Sequence, residues 1–264
     1  MISYAQNFED VVLDRVFKNV RRGNYIDVGA CDPVEDSVTK TFYDRGWSGI
    51  NVEPVKALYQ KLVRQRSRDQ NLNVAVGRHA GQIEFHEWVG TGLSSVIPSA
   101  HEELLWQKGF QKETRIVPMT TLEEIAKTLG GKEVDFLKID VEGAEREVLL
   151  GANWMTFRPR VIVIEAIRFQ PESDILHPPQ PSWPEWEPIL LQNHYTFALF
   201  DGLNRFYHRA EEPELHALLS YPANVNDLFS LGTTHWLSRP ARHKRSLKRW
   251  FLRLCRQWSA KQVP

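Results

Sequence analysis

The chain has only two cysteines, Cys31 and Cys255, in 264 residues. Two thiols build no disulfide framework, and a reducing cytoplasm is the expected compartment. No apolar run approaches the ~20 residues that span a bilayer. Residues Met1 to Gln6 lack the basic region and apolar core of a signal peptide. No internal repeat is visible. The phosphate-cradling pattern Gly-x-Gly-x-x-Gly is missing, which speaks against a pyrophosphate-bearing cofactor. His101-Glu102-Glu103-Leu104-Leu105 lacks the second histidine of a zinc helix. The composition is otherwise ordinary, with 42% hydrophobic and 25% charged residues, and leaves room for one α/β domain with a large core.

What the chain does have is a pair of acidic strand ends. Tyr25-Ile26-Asp27-Val28-Gly29-Ala30-Cys31-Asp32-Pro33 is a short apolar run closing in a glycine-bearing turn. Asn51-Val52-Glu53-Pro54 is a second run, with Glu53 standing 24 residues after Gly29. At that spacing the two read as consecutive parallel strands whose carboxyl ends hold a nucleoside. Gly29 lets the backbone come close, and Glu53 can take both ribose hydroxyls. A nucleoside without a pyrophosphate fits, and S-adenosylmethionine is such a cofactor.

Strand and helix patterns alternate along the chain, which predicts a mostly parallel sheet with helices on both faces. A helix is expected over Asn7 to Val20. Strands follow at Tyr25–Val28, Gly49–Val52 and Leu72–Val76, with Asp32-Pro33 and Pro54 opening helices. A long insertion comes next. It holds an alternating, exposed strand at Ile83-Glu84-Phe85-His86, a small-residue loop from Gly90 to Ser95, an amphipathic helix from His101 to Gly109 and a strand around Arg115–Val117. Thr121-Leu122-Glu123-Glu124 is a capping box. Val134 to Asp140 is the next strand, and its helix stops at Gly151. Val161–Glu165 reads as a buried strand. Residues 171–188 hold six prolines and two tryptophans, Trp183 and Trp186. Thr196–Phe200 and Arg205–His208 read as a terminal antiparallel hairpin.

Five motifs in order carry a family resemblance. Phe136-Leu137-Lys138-Ile139-Asp140-Val141-Glu142-Gly143-Ala144-Glu145 closely resembles the signature of the FkbM family of S-adenosylmethionine-dependent methyltransferases. Ser3-Tyr4-Ala5-Gln6-Asn7-Phe8-Glu9-Asp10, Asp27-Val28-Gly29-Ala30, Asn51-Val52-Glu53-Pro54 and Phe200-Asp201-Gly202-Leu203-Asn204-Arg205-Phe206-Tyr207 resemble its other motifs. The resemblance implies a Rossmann-like fold with a seven-stranded sheet, and methylation of an oxygen on a sugar, glycan or natural product. The cofactor-binding set expected on this basis is Gln6, Glu9, Asp10, Asp27, Gly29, Asp32, Glu53, Pro54 and Asp140. Gln6, Glu9 and Asp10 owe their place to the resemblance alone. Asp140, Glu142 and Glu165 are the expected catalytic carboxylates, and no metal ligand is assigned. Such carboxylates can hold the cofactor's amino group, orient the acceptor, bind a metal, or simply cap helices. Glu145 is expected to be a solvated first-turn residue. Two other readings stay open: a nicotinamide-dependent oxidoreductase, and a non-catalytic scaffold in a polysaccharide assembly.

Charge divides the chain. Of 33 basic and 33 acidic residues, nine basic and no acidic ones lie between Arg239 and Lys261. Residues 1–238 therefore carry 24 against 33, a balance of −9. The expected division is a methyltransferase domain over 1–238 and a basic amphipathic tail over 239–264. In the tail Leu247, Trp250, Phe251, Leu254 and Trp258 recur at three- and four-residue spacing amid Lys and Arg. That composition suits an anionic membrane surface through residues 244–258, or a helix docked on the acidic body. No nucleic-acid partner is expected.

Overall fold

The computed structural model describes residues 1–91, 94–97, 105–106, 109–168 and 179–238. The strands are β1 (Ile2–Ser3), β2 (Asn24–Val28), β3 (Ser48–Val52), β4 (Gln70–Leu72), β5 (Ala75–Val76), β6 (Gly81–Trp88), β7 (Lys112–Thr120), β8 (Phe136–Ile139), β9 (Val161–Glu165), β10 (Ile167–Arg168), β11 (Gln180–Pro181), β12 (Tyr195–Phe200), β13 (Asn204–Arg209) and β14 (Ser230–Leu231). The helices are α1 (Glu9–Phe17), α2 (Lys40–Asp44), α3 (Lys56–Gln65), α4 (Leu122–Thr128), α5 (Glu145–Leu150), α6 (Glu187–Gln192) and α7 (Leu215–Leu219).

The main sheet is mixed and seven-stranded, in the order β12-β13-β9-β8-β2-β3-β4. From β4 to β9 neighbouring strands pair in parallel. The β12–β13 hairpin then adds β13 antiparallel to β9. Successive strand residues face opposite ways, and two cores form as a result. Ile26, Val28, Leu137, Ile139, Ile162 and Ile164 point to one face, with Leu122, Val148, Leu149 and Leu190 of the helices. Tyr25, Phe136, Val161, Val163 and Phe206 point to the other, with Val12, Leu13 and Phe17 of α1 and Leu215 and Leu219 of α7.

The chain leaves β2 for β3 and β4 on one side, then returns to β8 on the other. The carboxyl ends of β2 and β8 thus flank a topological switch point, where open α/β sheets bind ligands. A second sheet, β5-β7-β6, stands over this end. Ala75, Phe85 and Val117 of this sheet pack against Val55, next to the start of α3.

Several boundaries differ from the sequence expectation. The first helix spans only Glu9–Phe17. The strand expected over Leu72–Val76 breaks in two, because Asn73 turns its side chain back to the carbonyls of Glu53 and Pro54. β4 completes the main sheet and β5 starts the second. Asp32-Pro33 opens no helix; Asp32 Oδ1 instead accepts from the amides of Val34 and Glu35 in a turn. α3 begins at Lys56, past Pro54. The strand expected to be exposed is buried over Phe85–Trp88, since β7 and the cavity cover it. Thr121 does cap α4 through the Glu124 amide, but the Glu124 carboxylate turns to Thr120. Gly151 keeps a negative φ at the end of α5. It is small because a Cβ there would lie 2.2 Å from the Gly77 carbonyl. The helix from His101 to Gly109, most of the proline-rich loop's first half and the tail from Arg239 onward lie outside the described residues, apart from Leu105, Trp106 and Gly109. Trp183 and Trp186 are described, and both pack on the core, Trp186 fully buried.

Candidate active site

Three strand ends are stitched together at the switch point. Gly29 has φ +77°, and a Cβ on it would meet the Asp140 carbonyl at 1.8 Å. Only glycine closes the β2–β8 seam there. The amides of Gly29 and Ala30 both donate to the Val52 carbonyl at the end of β3. The Glu53 carboxylate spans the same gap: Oε2 accepts from the Cys31 amide at 2.9 Å and Oε1 from the Val55 amide at 2.7 Å. The amides of Gly29, Ala30 and Cys31 are therefore consumed by the Val52 carbonyl and Glu53, which leaves the cavity floor acidic.

Lys138 is the cation under this floor. Its Nζ donates to the Gly29 carbonyl at 2.7 Å and lies 3.3 Å from Asp27 and 3.7 Å from Asp140. Burial alone would lower its pKa, but Asp27 and Asp140 outweigh burial and hold it above the ordinary lysine value. Asp27 also accepts from Thr39. Burial, and then the charge of Glu53, push the Cys31 thiol up to about 12, so it remains a protonated wall residue. Burial pushes Glu53 up to about 7 against the pull of its two amides.

Above the floor lies a cavity of about 530 Å³, within the range of small-molecule sites. One end is framed by Asp32, Glu53, Pro54, Leu58 and Lys61, with Lys61 donating to Asp32 at 2.9 Å. Burial raises the Asp32 pKa, but the Lys61 bond and two turn amides more than offset it and hold it below the usual range. Asp140 and Glu142 line the cavity on the β8 side, and Gln6, residues 88–91 and residues 94–96 line it too. Ser95 Oγ donates to the carbonyls of Glu142 and Val141, which fastens the segment around Ser95 to the turn after β8. Glu142 sits in that turn with φ +54°, a strained conformation for a side chain of its size. The Trp88 indole N–H is buried on the cavity wall and meets no acceptor among the described residues. Such an orphan donor is what a bound ligand's oxygen satisfies.

Most expected site residues gather here: Gln6, Asp27, Gly29, Asp32, Glu53, Pro54, Asp140 and Glu142 all line the cavity. Glu165 does not line it. It is buried at the end of β9, where its carboxylate and those of Asp140 and Glu142 bring oxygens within 4.8 Å of one another. That trio has the ligand type for a divalent cation. Glu9 and Asp10 are not brought to the cavity. Glu9 accepts from the Asn7 amide and Asn204, and Asp10 from Ser3 and the amides of Tyr4 and Ala5. They hold the amino-terminal segment, and thereby Gln6, in place. Glu145 is buried rather than solvated. It accepts from the Gly143 amide at 3.0 Å and so braces the turn bearing Asp140 and Glu142. Sequence reading also missed Lys138 and Trp88. A lysine amid Phe136, Leu137 and Ile139 was a signal for the first; Trp88 carried none.

A mixed α/β sheet with an acid-lined cavity at its switch point defines a domain built to bind a small ligand across its strand ends. The family profile described as the methyltransferase FkbM domain matches residues 27–197, well over half of the chain. The chain belongs to the FkbM methyltransferase family. No curated protein matches it.

Proposed function

We propose that this protein transfers a methyl group from S-adenosylmethionine to a hydroxyl of a sugar or glycan. The observation that carries the reading is one cavity with a buried carboxylate, Glu53, at one end and a carboxylate pair, Asp140 and Glu142, at the other. The fit to the cofactor rests on Glu53. Each of its oxygens takes one amide, and each keeps a second lone pair, so two adjacent ribose hydroxyls can donate to it. When bound, S-adenosylmethionine supplies an electrophilic methyl carbon on a sulfonium and departs as the neutral thioether.

The chain's own residues do the rest. The acidic floor of Asp27, Asp140 and Glu142 favours a cationic ligand over its neutral product. Asp140, at the end of β8, would orient the acceptor O–H and take up the proton it loses on methylation. Trp88 offers its N–H to an acceptor oxygen from the opposite wall. We favour base catalysis without a metal. The convergence of Asp140, Glu142 and Glu165 supports a second reading, in which a divalent cation lowers the hydroxyl pKa. The reducing cytoplasm suggested by the two cysteines is the proposed compartment.

Calorimetry with S-adenosylhomocysteine, beside NAD as a control, tests the cofactor assignment. Binding of the former alone is expected. Transfer of labelled methyl to a panel of glycosides, with mass analysis of the product, tests the acceptor class; methylation of a nitrogen or carbon would overturn it.

A further inference from the structure

The cavity lining is unequal in charge. Eight acidic side chains line it and only two basic ones, Lys61 and Lys138. No arginine lines it among the described residues. Both lysines are engaged: Lys138 with the Gly29 carbonyl, Asp27 and Asp140, and Lys61 with Asp32. In the second sheet, Arg115 of β7 donates to Glu87, the lining acid beside Trp88 in β6. S-adenosylmethionine, with two cationic centres and one carboxylate, brings a single positive charge to this lining. Glu53, pushed up to about 7 by burial, is partly protonated at neutral pH. The two effects together still leave the acids in excess.

The backbone is closed to anions as well. Open α/β folds hold phosphates with the amides of the turns that follow their strands. Here those turns are capped from within. After β2, the Gly29 and Ala30 amides go to the Val52 carbonyl, the Cys31 amide to Glu53, and the Val34 and Glu35 amides to Asp32. After β3, Glu53 takes the Val55 amide. After β8, Glu145 takes the Gly143 amide. Carboxylates thus stand where a phosphate's oxygens would have to be. The buried Trp88 indole N–H, which meets no acceptor among the described residues, is a neutral donor suited to a hydroxyl or ether oxygen.

We propose that the acceptor is a glycosyl unit with no phosphate on or next to the methylated ring, so that methylation follows glycosyl transfer rather than preceding it. The inference rests on the sugar-hydroxyl reading of this site and adds the form in which the sugar arrives. A sugar on its nucleotide carrier holds a diphosphate on the anomeric carbon, within one ring's width of every ring hydroxyl. Charges so close are little screened, since the Debye length at physiological salt is about 8 Å. The diphosphate is therefore repelled by the acidic lining. A neutral glycosyl unit meets no such repulsion, and an amino-bearing one is attracted. The class of reaction that must supply the acceptor is glycosyl transfer. In it the bond from the anomeric carbon to the diphosphate oxygen breaks, and the nucleoside diphosphate leaves with the electron pair. A hydroxyl of the growing glycan bonds to that carbon and loses its proton.

The test offers each of a panel of hexoses and deoxyhexoses to the full chain in two forms, the methyl glycoside and the nucleoside diphosphate sugar. Both are given at equal concentration with labelled S-adenosylmethionine, with and without magnesium. The methyl glycoside should be labelled at least about tenfold faster. Equal or faster labelling of the nucleotide-linked form, in either condition, overturns the proposal. Glu87→Gln removes one lining acid and frees Arg115. It should narrow the ratio of kcat/KM between the two forms at least about threefold. An unchanged ratio overturns the proposal too, because charge then does not select the acceptor. Labelling of neither form refutes the sugar-hydroxyl reading itself, and the charge selection is then judged by binding. In saturation-transfer NMR on protein filled with S-adenosylhomocysteine, the sugar protons of the nucleoside diphosphate sugar should receive no saturation. Saturable transfer to them overturns the proposal.

Discussion

Glu53 combines burial with two amide donors, and its pKa of about 7 sets a pH dependence. In the proposed role, ribose hydroxyls donate to the ionised carboxylate, so binding of the proposed cofactor would require the proton to leave. Affinity for S-adenosylhomocysteine should rise with pH until about pH 7 and then level. Calorimetry in buffers of different ionisation enthalpy should record proton release on the acidic side. Glu53→Gln should weaken binding by about 1.5–3 kcal/mol at pH 8 and flatten the pH dependence. An unchanged dissociation constant removes the ribose role. Asp140 is judged by turnover: Asp140→Asn should lower it by ~10²–10⁴-fold while cofactor affinity changes little. A chelator in the same assay should leave the wild type active. Loss of activity restored by magnesium would shift the role of Asp140, Glu142 and Glu165 to metal binding.

The element that decides the site is the seam between β2 and β8. Lys138 closes it from below, donating to the Gly29 carbonyl and standing as the cation 3.3 Å from Asp27 and 3.7 Å from Asp140. Lys138→Met fills similar volume but leaves the buried Asp27 carboxylate without its cation. We expect a loss of about 3–5 kcal/mol in denaturant unfolding. Asp27→Asn on the same background should recover part of it, because the uncompensated charge is then gone. No recovery would mean that packing, not charge, holds the seam. Elements of this kind were legible in the sequence where one face was regular. β3, β8 and β9 are apolar runs closing on acids and β2 is one closing on Gly29, and the expected hairpin is β12 and β13, each one or two residues longer. The break at Asn73 was not legible, because it depends on carbonyls some 20 residues back. Nor was the burial of β6, which depends on β7, about 30 residues on.

At the scale of the whole molecule, several acids are buried with raised pKa values. Burial is the first cause in each: Glu9 is pushed up to about 8, Asp10 to about 6, and Glu53 and Glu145 to about 7. Between their unfolded values near 4 and these folded values, the native state binds more protons than the unfolded chain. Stability must then fall as pH rises through that window. The melting temperature should be higher at about pH 5.5 than at about pH 8.5. Below about pH 4 it should fall again, as carboxylates such as Asp227, held low by the Arg15 hydrogen bonds, take up protons. A thermal melt series that rises steadily to pH 8.5 would contradict the burial of these acids.

The sequence by itself determined the alternation of strands and helices, the two acidic strand ends, the order of the motifs and the basic tail. Those are local properties: side-chain periodicity, a glycine where a turn is needed, and charge counted along the chain. Only the tertiary structure decided how each acid is employed. Glu53, Asp140 and Glu142 line one cavity, whereas Glu9 and Asp10, in a motif of the same family, brace the amino terminus against Asn204 and Ser3. The difference lies in partners up to 195 residues away, and a carboxylate's role depends on which donors the fold brings to it.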